Sequence, residues 1–438
     1  MSYVDPKTGY PIELANKVGH IKLVQDPMIQ RLIECFEDTR PTDAVALPVP
    51  DGRVDLSAGC PIVQIVTVDG GQQAVPNIAR PERQIGFIQV AAQMVRVETL
   101  DYLKAHPLAD PRDVRQLLSK FTDHTLAALP IAGMHMPKMT VRESIREAIH
   151  RFLSTYQLYD ALRFLVYREW RAADKDVDVP QMDCLNCNAT VLLPRHAIEF
   201  VCESCSHGHK LGDYLLMSTD DSEEMGRLEL VSSFRSALEV LALFSTIAKA
   251  REHPAVMDRT LFLLDGPLLL RANLARLVEP IRDFVADHRA AGRNIYLVGV
   301  EKGGDIRAYA DEISAGLTEP GDYKILSFPF IVEQISGRRF NSNTYRNRVN
   351  YGAKVIVRLG VNHVVVLNVP TGAFALDPTV VDLVGFEAIV RILSKVVSYR
   401  YENALIPVVL INEAASISNQ PSGGILEQFV KKILDGAD

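Results

Sequence analysis

The chain has 438 residues, 47% of them hydrophobic and 23% charged, enough to bury a large core and ordinary for a globular protein. A net charge of −7 and a pI near 5.9 exclude a protein that coats nucleic acid over its whole surface, while leaving room for a local basic groove. No uninterrupted apolar run approaches the roughly 18 residues of a membrane span, and MSYVDPKTGY lacks a signal-peptide pattern, so a cytoplasmic protein without membrane attachment is expected.

Residues 1–54 read as an irregular or partly helical arm, with a short helix at DPMIQRLIECFEDT. The first core strand is PIVQIVTVDGG, in which the apolar, β-branched residues 61–68 end in Asp69, Gly70 and Gly71. Asp-Gly between apolar runs is a hairpin signal. The segment QQAVPNIARPERQ that leads to a second strand at residues 84–92 is too long for a two-residue turn, so the expectation is an acid at a strand tip near the centre of a sheet. Helical spacing dominates residues 110–174, notably TVRESIREAIHRFLSTYQLYDALRFLVYREW, with Trp170 in the core.

The most specific local signal lies just beyond. Cys184 and Cys187 in CLNC, and Cys202 and Cys205 in CESC, stand fourteen residues apart. Two CxxC knuckles joined by a short hairpin such as ATVLLPRHAIEFV have zinc-ribbon spacing and close a tetrahedral four-thiolate site. Four protein ligands leave no open position, so this Zn2+ is expected to be structural. His207 and His209 are neighbours or replacement ligands, Arg195 and His196 are expected to face solvent, and Cys35 and Cys60 are read as ordinary buried thiols.

A long helix over residues 222–251 is apolar nearly all round, and Glu239 sits within its apolar stripe. It either pairs with Arg235 on an exposed edge or points at a cation; Glu229 competes for the second role. The next strand, TLFLLDGPLLL, ends in Asp265, which either caps a turn or shares that cation. A helix at residues 273–290, strands NIYLVGVEK, AKVIVRLG and HVVVLNVP, and a final helix at residues 380–400 complete an α/β pattern. The glycines of VGVEKGGD lack either nucleotide-cradle spacing.

One acid on the first strand, one on a helix and one on a later strand is the ribonuclease-H arrangement for gathering two divalent metals. Oxygen ligands suit Mg2+ or Mn2+. In that setting TVDGG and FLLDGPL, followed in order by YLVGVEKGGD, YGAKVIVRLG and RYENALIPVVLINEAASIS, with SALEVLAL between the first two, resemble the NurA nuclease domain. The resemblance covers residues 58–100 and 223–418. It implies an α/β, ribonuclease-H-like mixed sheet flanked by helices over residues 55–438, interrupted by a helical insertion at 105–180 and the zinc ribbon at 181–212. It also implies a manganese-dependent DNA nuclease, a 5′–3′ exonuclease and single-strand endonuclease. Such an enzyme forms a homodimer and works with the hexameric HerA ATPase in DNA end processing, repair or phage defence. Carried onto this sequence, Asp69, Glu239 and Asp265 hold the metals, Lys302 lies near the scissile phosphate, and Glu413 occupies or neighbours a position where the family has histidine. Two-metal phosphodiester hydrolysis needs no side-chain nucleophile.

DNA contact is expected from SGRRFNSNTYRNRVNYGAK, where Arg338, Arg339, Arg346, Arg348 and Lys354 interleave with Phe340, Tyr345 and Tyr351, a composition suited to single strands. The alternative from another class is a catalytically silent zinc-ribbon adaptor that docks an ATPase partner.

Overall fold

The computed structural model describes residues 26–35, 49–76, 83–105, 121–171, 179–217, 224–293, 295–340, 348–398, 403–417 and 424–435. Among them, one nine-stranded mixed sheet organises the chain. Its first strands are β1 (Gly52–Arg53), β2 (Gln64–Pro76), β3 (Gln84–Arg96) and β4 (Thr122–Ala132). The short strands β5 (Gln181–Asp183), β6 (Thr190–Leu192), β7 (Glu199–Val201) and β8 (Gly208–Lys210) belong to the cysteine module. The sheet resumes with β9 (Thr260–Asp265), β10 (Tyr296–Glu301), β11 (Asp322–Leu326), β12 (Ala353–Gly360) and β13 (His363–Val369). The order is β1-β11-β12-β13-β10-β9-β2-β3-β4. β2, β3 and β4 form an antiparallel meander. β9 runs parallel to β2 and β10 parallel to β9, and β13, β12 and β11 close that side antiparallel. β9 and β13 are apolar on successive residues because both faces of the sheet are covered.

The described helices are α1 (Pro27–Glu34), α2 (Val97–Ala105), α3 (Val141–Thr155), α4 (Leu158–Val166), α5 (Glu224–Arg251), α6 (Val278–Ala290), α7 (Asp305–Ile313), α8 (Phe386–Lys395), α9 (Ile406–Ala415) and α10 (Gly424–Asp435), with a single turn at Pro254–Met257. α5 lies across β2, β3 and β4 on one face, where it joins α3, α4 and α6 in the larger core. On the opposite face α8 covers β10 and β12, and α9 covers β2 and β3. Residues 229–251 of α5 are long and apolar enough to cross a bilayer, yet 67% of the qualifying window is buried inside the protein. α5 is the central core helix.

Several elements differ from the sequence expectation. β2 does not stop at Asp69: it continues to Pro76 and pairs with β3 in antiparallel register from Gln64↔Arg96 to Pro76↔Gln84. The parallel ladder with β9 ends at Val68↔Leu264. Asp69 is therefore mid-strand towards β3 and one step beyond the ladder towards β9. Its two glycines serve close packing and not a turn. A Cβ on Gly70 would lie 2.6 Å from Glu239 Oε1 on α5, and one on Gly71 would lie 2.4 Å from the Ala415 carbonyl of α9.

The insertion at 105–180 is not wholly helical, because β4 extends the sheet. Thr125, Ala127, Leu129 and Ile131 point inward at period two, a strand signal inside a stretch read at helical period. The long helix predicted after it divides into α3 and α4 at Gln157, whose φ of +55° is left-handed. α3 opens on a capping box, with Thr140 Oγ1 accepting from Glu143 N–H and Glu143 accepting from Thr140 N–H. α6 is preceded by a 3-10 turn, Ala272–Leu277. α8 is shorter than residues 380–400 and is not final, since α9 and α10 follow; the α9 start carries Pro407 in its first turn. Trp170 is buried, donating to Asp287 Oδ2 at 2.7 Å. Cys35 is exposed and Cys60 half-buried, so neither is a fully buried thiol.

Candidate active site and metal centre

The cysteine module is built from two knuckles, each inside its own hairpin, β5–β6 and β7–β8. The expected single hairpin between the knuckles is absent from the described residues; its sequence supplies β6 and β7 instead. In each knuckle the first cysteine accepts from a backbone N–H four residues on, Asn188 to Cys184 and Ser206 to Cys202. Asn188 and Ser206 adopt the same left-handed turn, at φ +58° and +57°. The sulfurs of Cys184, Cys187, Cys202 and Cys205 all lie within 4.8 Å of one another. Hydrogen bonds from the Asn186 side chain and the His207 backbone pull the Cys205 thiol down to about 6, towards the thiolate that binds metal. The arrangement suits a structural zinc. His209 is buried beside the cluster, with Nε2 3.3 Å from Cys184 Sγ. Its other nitrogen stands 3.6 Å from Asp213, which Arg146 grips with two guanidinium hydrogen bonds of 2.7 Å.

The second site lies where β2, β9 and β10 run parallel. Because Val68 pairs with Leu264, the next residues on both strands, Asp69 and Asp265, stand side by side. Register on the far side pairs Asp265 with Val300, and Lys302, two residues on, returns its side chain to the same face. Lys302 Nζ is 2.6 Å from Asp265 Oδ2. From α9, the Asn412 side chain also hydrogen-bonds Asp265. From α5, Glu239 enters against Gly70, the position where only a glycine leaves space. Arg235, one turn earlier, donates to Glu239 Oε1 at 2.6 Å and to the Gly70 carbonyl at 3.0 Å.

The electrostatics of the cluster are those of acids short of positive charge. Burial, then the neighbouring Asp265, pushes Asp69 up to about 6, against the hydrogen bond from Gly70 N–H. Glu239 is pushed up to about 8, chiefly by burial: the Arg235 guanidinium opposes the rise, and Asp69 and Asp265 add to it. Burial raises Asp265 as well, with Lys302 opposing. Asp265 acts on Asp69, and both act on Glu239, so the three acids are electrostatically linked. Among the described residues only the four sulfurs bring ligand atoms within 4.8 Å of one another; the carboxylates are held less tightly, with Arg235 and Lys302 each occupying one. A cleft of about 370 Å³ opens on the α5 side, lined by Glu239, Asp265, Arg235, Gly266 and Arg271 among others.

The remaining candidates scatter. Arg235 does pair with Glu239, but in a buried place and not on the expected exposed edge: the Glu239 side chain is 8% exposed. Glu229 is exposed and lines the outer part of the cleft. Glu413 is exposed on α9, and it is the adjacent Asn412 that reaches Asp265, since one residue along a helix turns a side chain by about 100°. Arg338, Arg339 and Arg348 are exposed; Tyr345 and Arg346 lie outside the described residues. Two members of that stretch are not available to DNA. Lys354 is buried and paired with Glu301 Oε2 at 2.5 Å, and Tyr351 is 2% exposed. The Tyr351 hydroxyl has no hydrogen-bond partner among the described residues, and its pKa is raised by burial and by Glu239.

No family model and no curated protein matches the sequence. Among solved structures, the chain is similar to the NurA nuclease from Sulfolobus solfataricus, over 96% of this chain and 98% of that one, at 11% identity and a TM-score of 0.37. A likeness of that degree assigns no function. The acids themselves have to indicate the chemistry.

Asn412 is a residue of the site that the sequence does not single out, whereas Arg235 and Tyr351 are named there in other roles, as an exposed-edge partner and as a DNA-contact ring. Arg235 had a usable signal, its position four residues before Glu239 on a helix otherwise apolar. Asn412 and Tyr351 had none, because each reaches the cluster from an element whose placement only the folded sheet decides.

Proposed function

We propose that this protein is a metal-dependent DNA nuclease, hydrolysing phosphodiesters as a 5′–3′ exonuclease and single-strand endonuclease. The observation that supports the reading is the register that sets Asp69 and Asp265 side by side at the ends of parallel strands, within electrostatic reach of Glu239 on α5. A three-stranded meander continued by two strands parallel to its first, β4-β3-β2-β9-β10, supports a ribonuclease-H-like sheet. The donor set is all oxygen, which fits Mg2+ or Mn2+. Asp69, Glu239 and Asp265 would hold the ions. When bound, two such ions activate water and offset charge on the leaving oxygen.

The chain's own groups have distinct work. Lys302 steadies Asp265 and places a cation at the edge of the site, where a phosphate oxygen would sit. Arg235 fixes the Glu239 carboxylate and ties it to the β2 backbone. Asn412 orients Asp265 from the opposite face of the sheet. Gly70 lets Glu239 approach, and burial between α5 and α9 excludes bulk water. In this reading the protein is a cytoplasmic homodimer acting with a HerA-type hexameric ATPase in DNA end processing, repair or phage defence, and the four cysteines bind a structural Zn2+.

The test is direct. Purified protein is incubated with 5′-labelled single- and double-stranded DNA and Mn2+, alone and with a HerA-type ATPase, beside Asp69→Ala and Asp265→Ala. Metal-dependent cleavage by the wild type that both variants lose supports the nuclease; no cleavage under any of these conditions leaves the zinc-ribbon adaptor as the reading.

A further inference from the structure

The helix that delivers Glu239 also carries Ser232, Arg235 and Ser236, at seven, four and three residues before the acid. Those spacings place all four on one face. A core helix apolar nearly all round has therefore kept a polar stripe, and the stripe lines the cleft of about 370 Å³ that leads to the acids, within the size range of ligand pockets. Ser232 and Ser236 are half-buried. The opposite wall is the segment after β9, where Arg271 is exposed. An antiparallel bridge joins Leu269 to Asn350, with Leu270 N–H donating to the Val349 carbonyl at 2.8 Å. Two residues beyond that bridge, Arg271 stands exposed in the cleft lining. The same pairing, through Tyr351 N–H and the Leu268 carbonyl, sets the buried, unpartnered Tyr351 hydroxyl within electrostatic reach of Glu239 at the inner end.

We propose that this stripe is a track for the phosphodiester backbone of a single strand: Arg271 receives it at the mouth, and Ser232 and Ser236 donate to its oxygens on the way to the acid cluster. The proposal rests on the nuclease reading and deepens it, naming where the substrate lies. Hydroxyls and guanidinium groups are the donors that phosphate contacts use, and such contacts position a strand without reading its sequence. Glu229, at the outer end of the stripe, stands ten residues from Glu239, about 15 Å along the axis.

The experiment is fluorescence anisotropy of a labelled 15-nucleotide oligothymidylate with the full chain, in EDTA and in Mn2+, across a salt series. Arg271→Glu should weaken binding about 10-fold or more and lower the salt slope by about one. The double variant Ser232→Ala, Ser236→Ala should weaken it several-fold with the slope unchanged. Arg151→Ala, exposed on α3 and outside the cleft lining, serves as a surface control and should bind as the wild type does. Oligonucleotide affinity equal to wild type in both cleft variants, or no binding by the wild type, overturns the track. If cleavage survives while the cleft variants bind normally, the nuclease reading stands and the track falls; if they bind poorly and nothing is cleaved, the track stands and the nuclease reading falls.

Discussion

Two regions of this molecule gather side chains of kinds that can ligate metals, and they do so by opposite means. The cysteine module draws its four sulfurs from residues 184–205 and brings them within 4.8 Å of one another, using two hairpins whose turns repeat the same left-handed residue. The acid cluster draws on residues 69, 239 and 265, carried by two strands and a helix. Burial pushes all three carboxylates up, and repulsion from neighbouring acids adds to the rise at Asp69 and Glu239. The thiols form a closed set suited to a metal that would stabilise the fold. The acids are a set that the fold must hold against its own preference, as expected where structure is spent on function.

The largest way to break this contrast is Asp69→Ala or Asp265→Ala. Each should lower manganese-dependent DNA cleavage by roughly 1,000-fold, while the melting temperature of the metal-free protein rises, because repulsion within the cluster is relieved. A variant that lost activity and melting temperature together would mark these acids as structural. Next is Cys202→Ser. Losing a ligand from a closed zinc site should cost several kcal/mol and lower the melting temperature by roughly 10 °C or more, with zinc content by atomic absorption falling in step; full zinc with unchanged melting would remove the module from the comparison.

Gly70→Ala probes the acid cluster through its packing. The new methyl would meet Glu239 Oε1 at 2.6 Å and the Arg235 Cγ at 3.0 Å, so cleavage should drop about 10- to 100-fold with far-UV circular dichroism unchanged. The pH dependence sharpens the same point. Glu239 ionises in the folded protein at about 8 and has an ordinary value of 4.5, so the folded state holds its proton longer than the unfolded chain does. The metal-free protein should therefore lose stability as pH rises from about 4.5 to 8, and Glu239→Gln should flatten that fall. Urea denaturation in EDTA at pH 5, 7 and 8.5 measures it; parallel losses in both proteins would assign the titration elsewhere. The smallest effect is expected from Glu413→Ala, less than two-fold on cleavage, since that side chain is exposed and Asn412 makes the contact with Asp265.

The contrast also explains what could be read in advance. CLNC and CESC announce their site because both ligands of each knuckle lie within one turn and the pairs are close in sequence. The strand TLFLLDG was legible from its apolar run, and Asp265 stands at its end. Asp69 was picked out for an incomplete reason: Asp-Gly-Gly suggested a strand tip, whereas the strand runs on for seven more residues to Pro76, and the glycines make room for Glu239 and the Ala415 carbonyl. The alternation of Thr125, Ala127, Leu129 and Ile131 was present in the sequence but hidden among helical spacings. Lys354 and Tyr351 looked like surface groups because their composition matched a nucleic-acid loop, and burial reversed both.

By itself the sequence determined what short-range chemistry can determine: a cysteine quartet, the apolar runs that become strands, and one acid inside an otherwise apolar helix. Only the tertiary structure decided that Asp69 and Asp265 are neighbours, because their adjacency depends on the parallel register of β2 and β9 across an interval of nearly two hundred residues. It also decided that Arg235 faces inward and that Asn412, not Glu413, reaches the site. Hydrogen-bond register and helix rotation set these contacts, and neither leaves a local mark on composition or spacing.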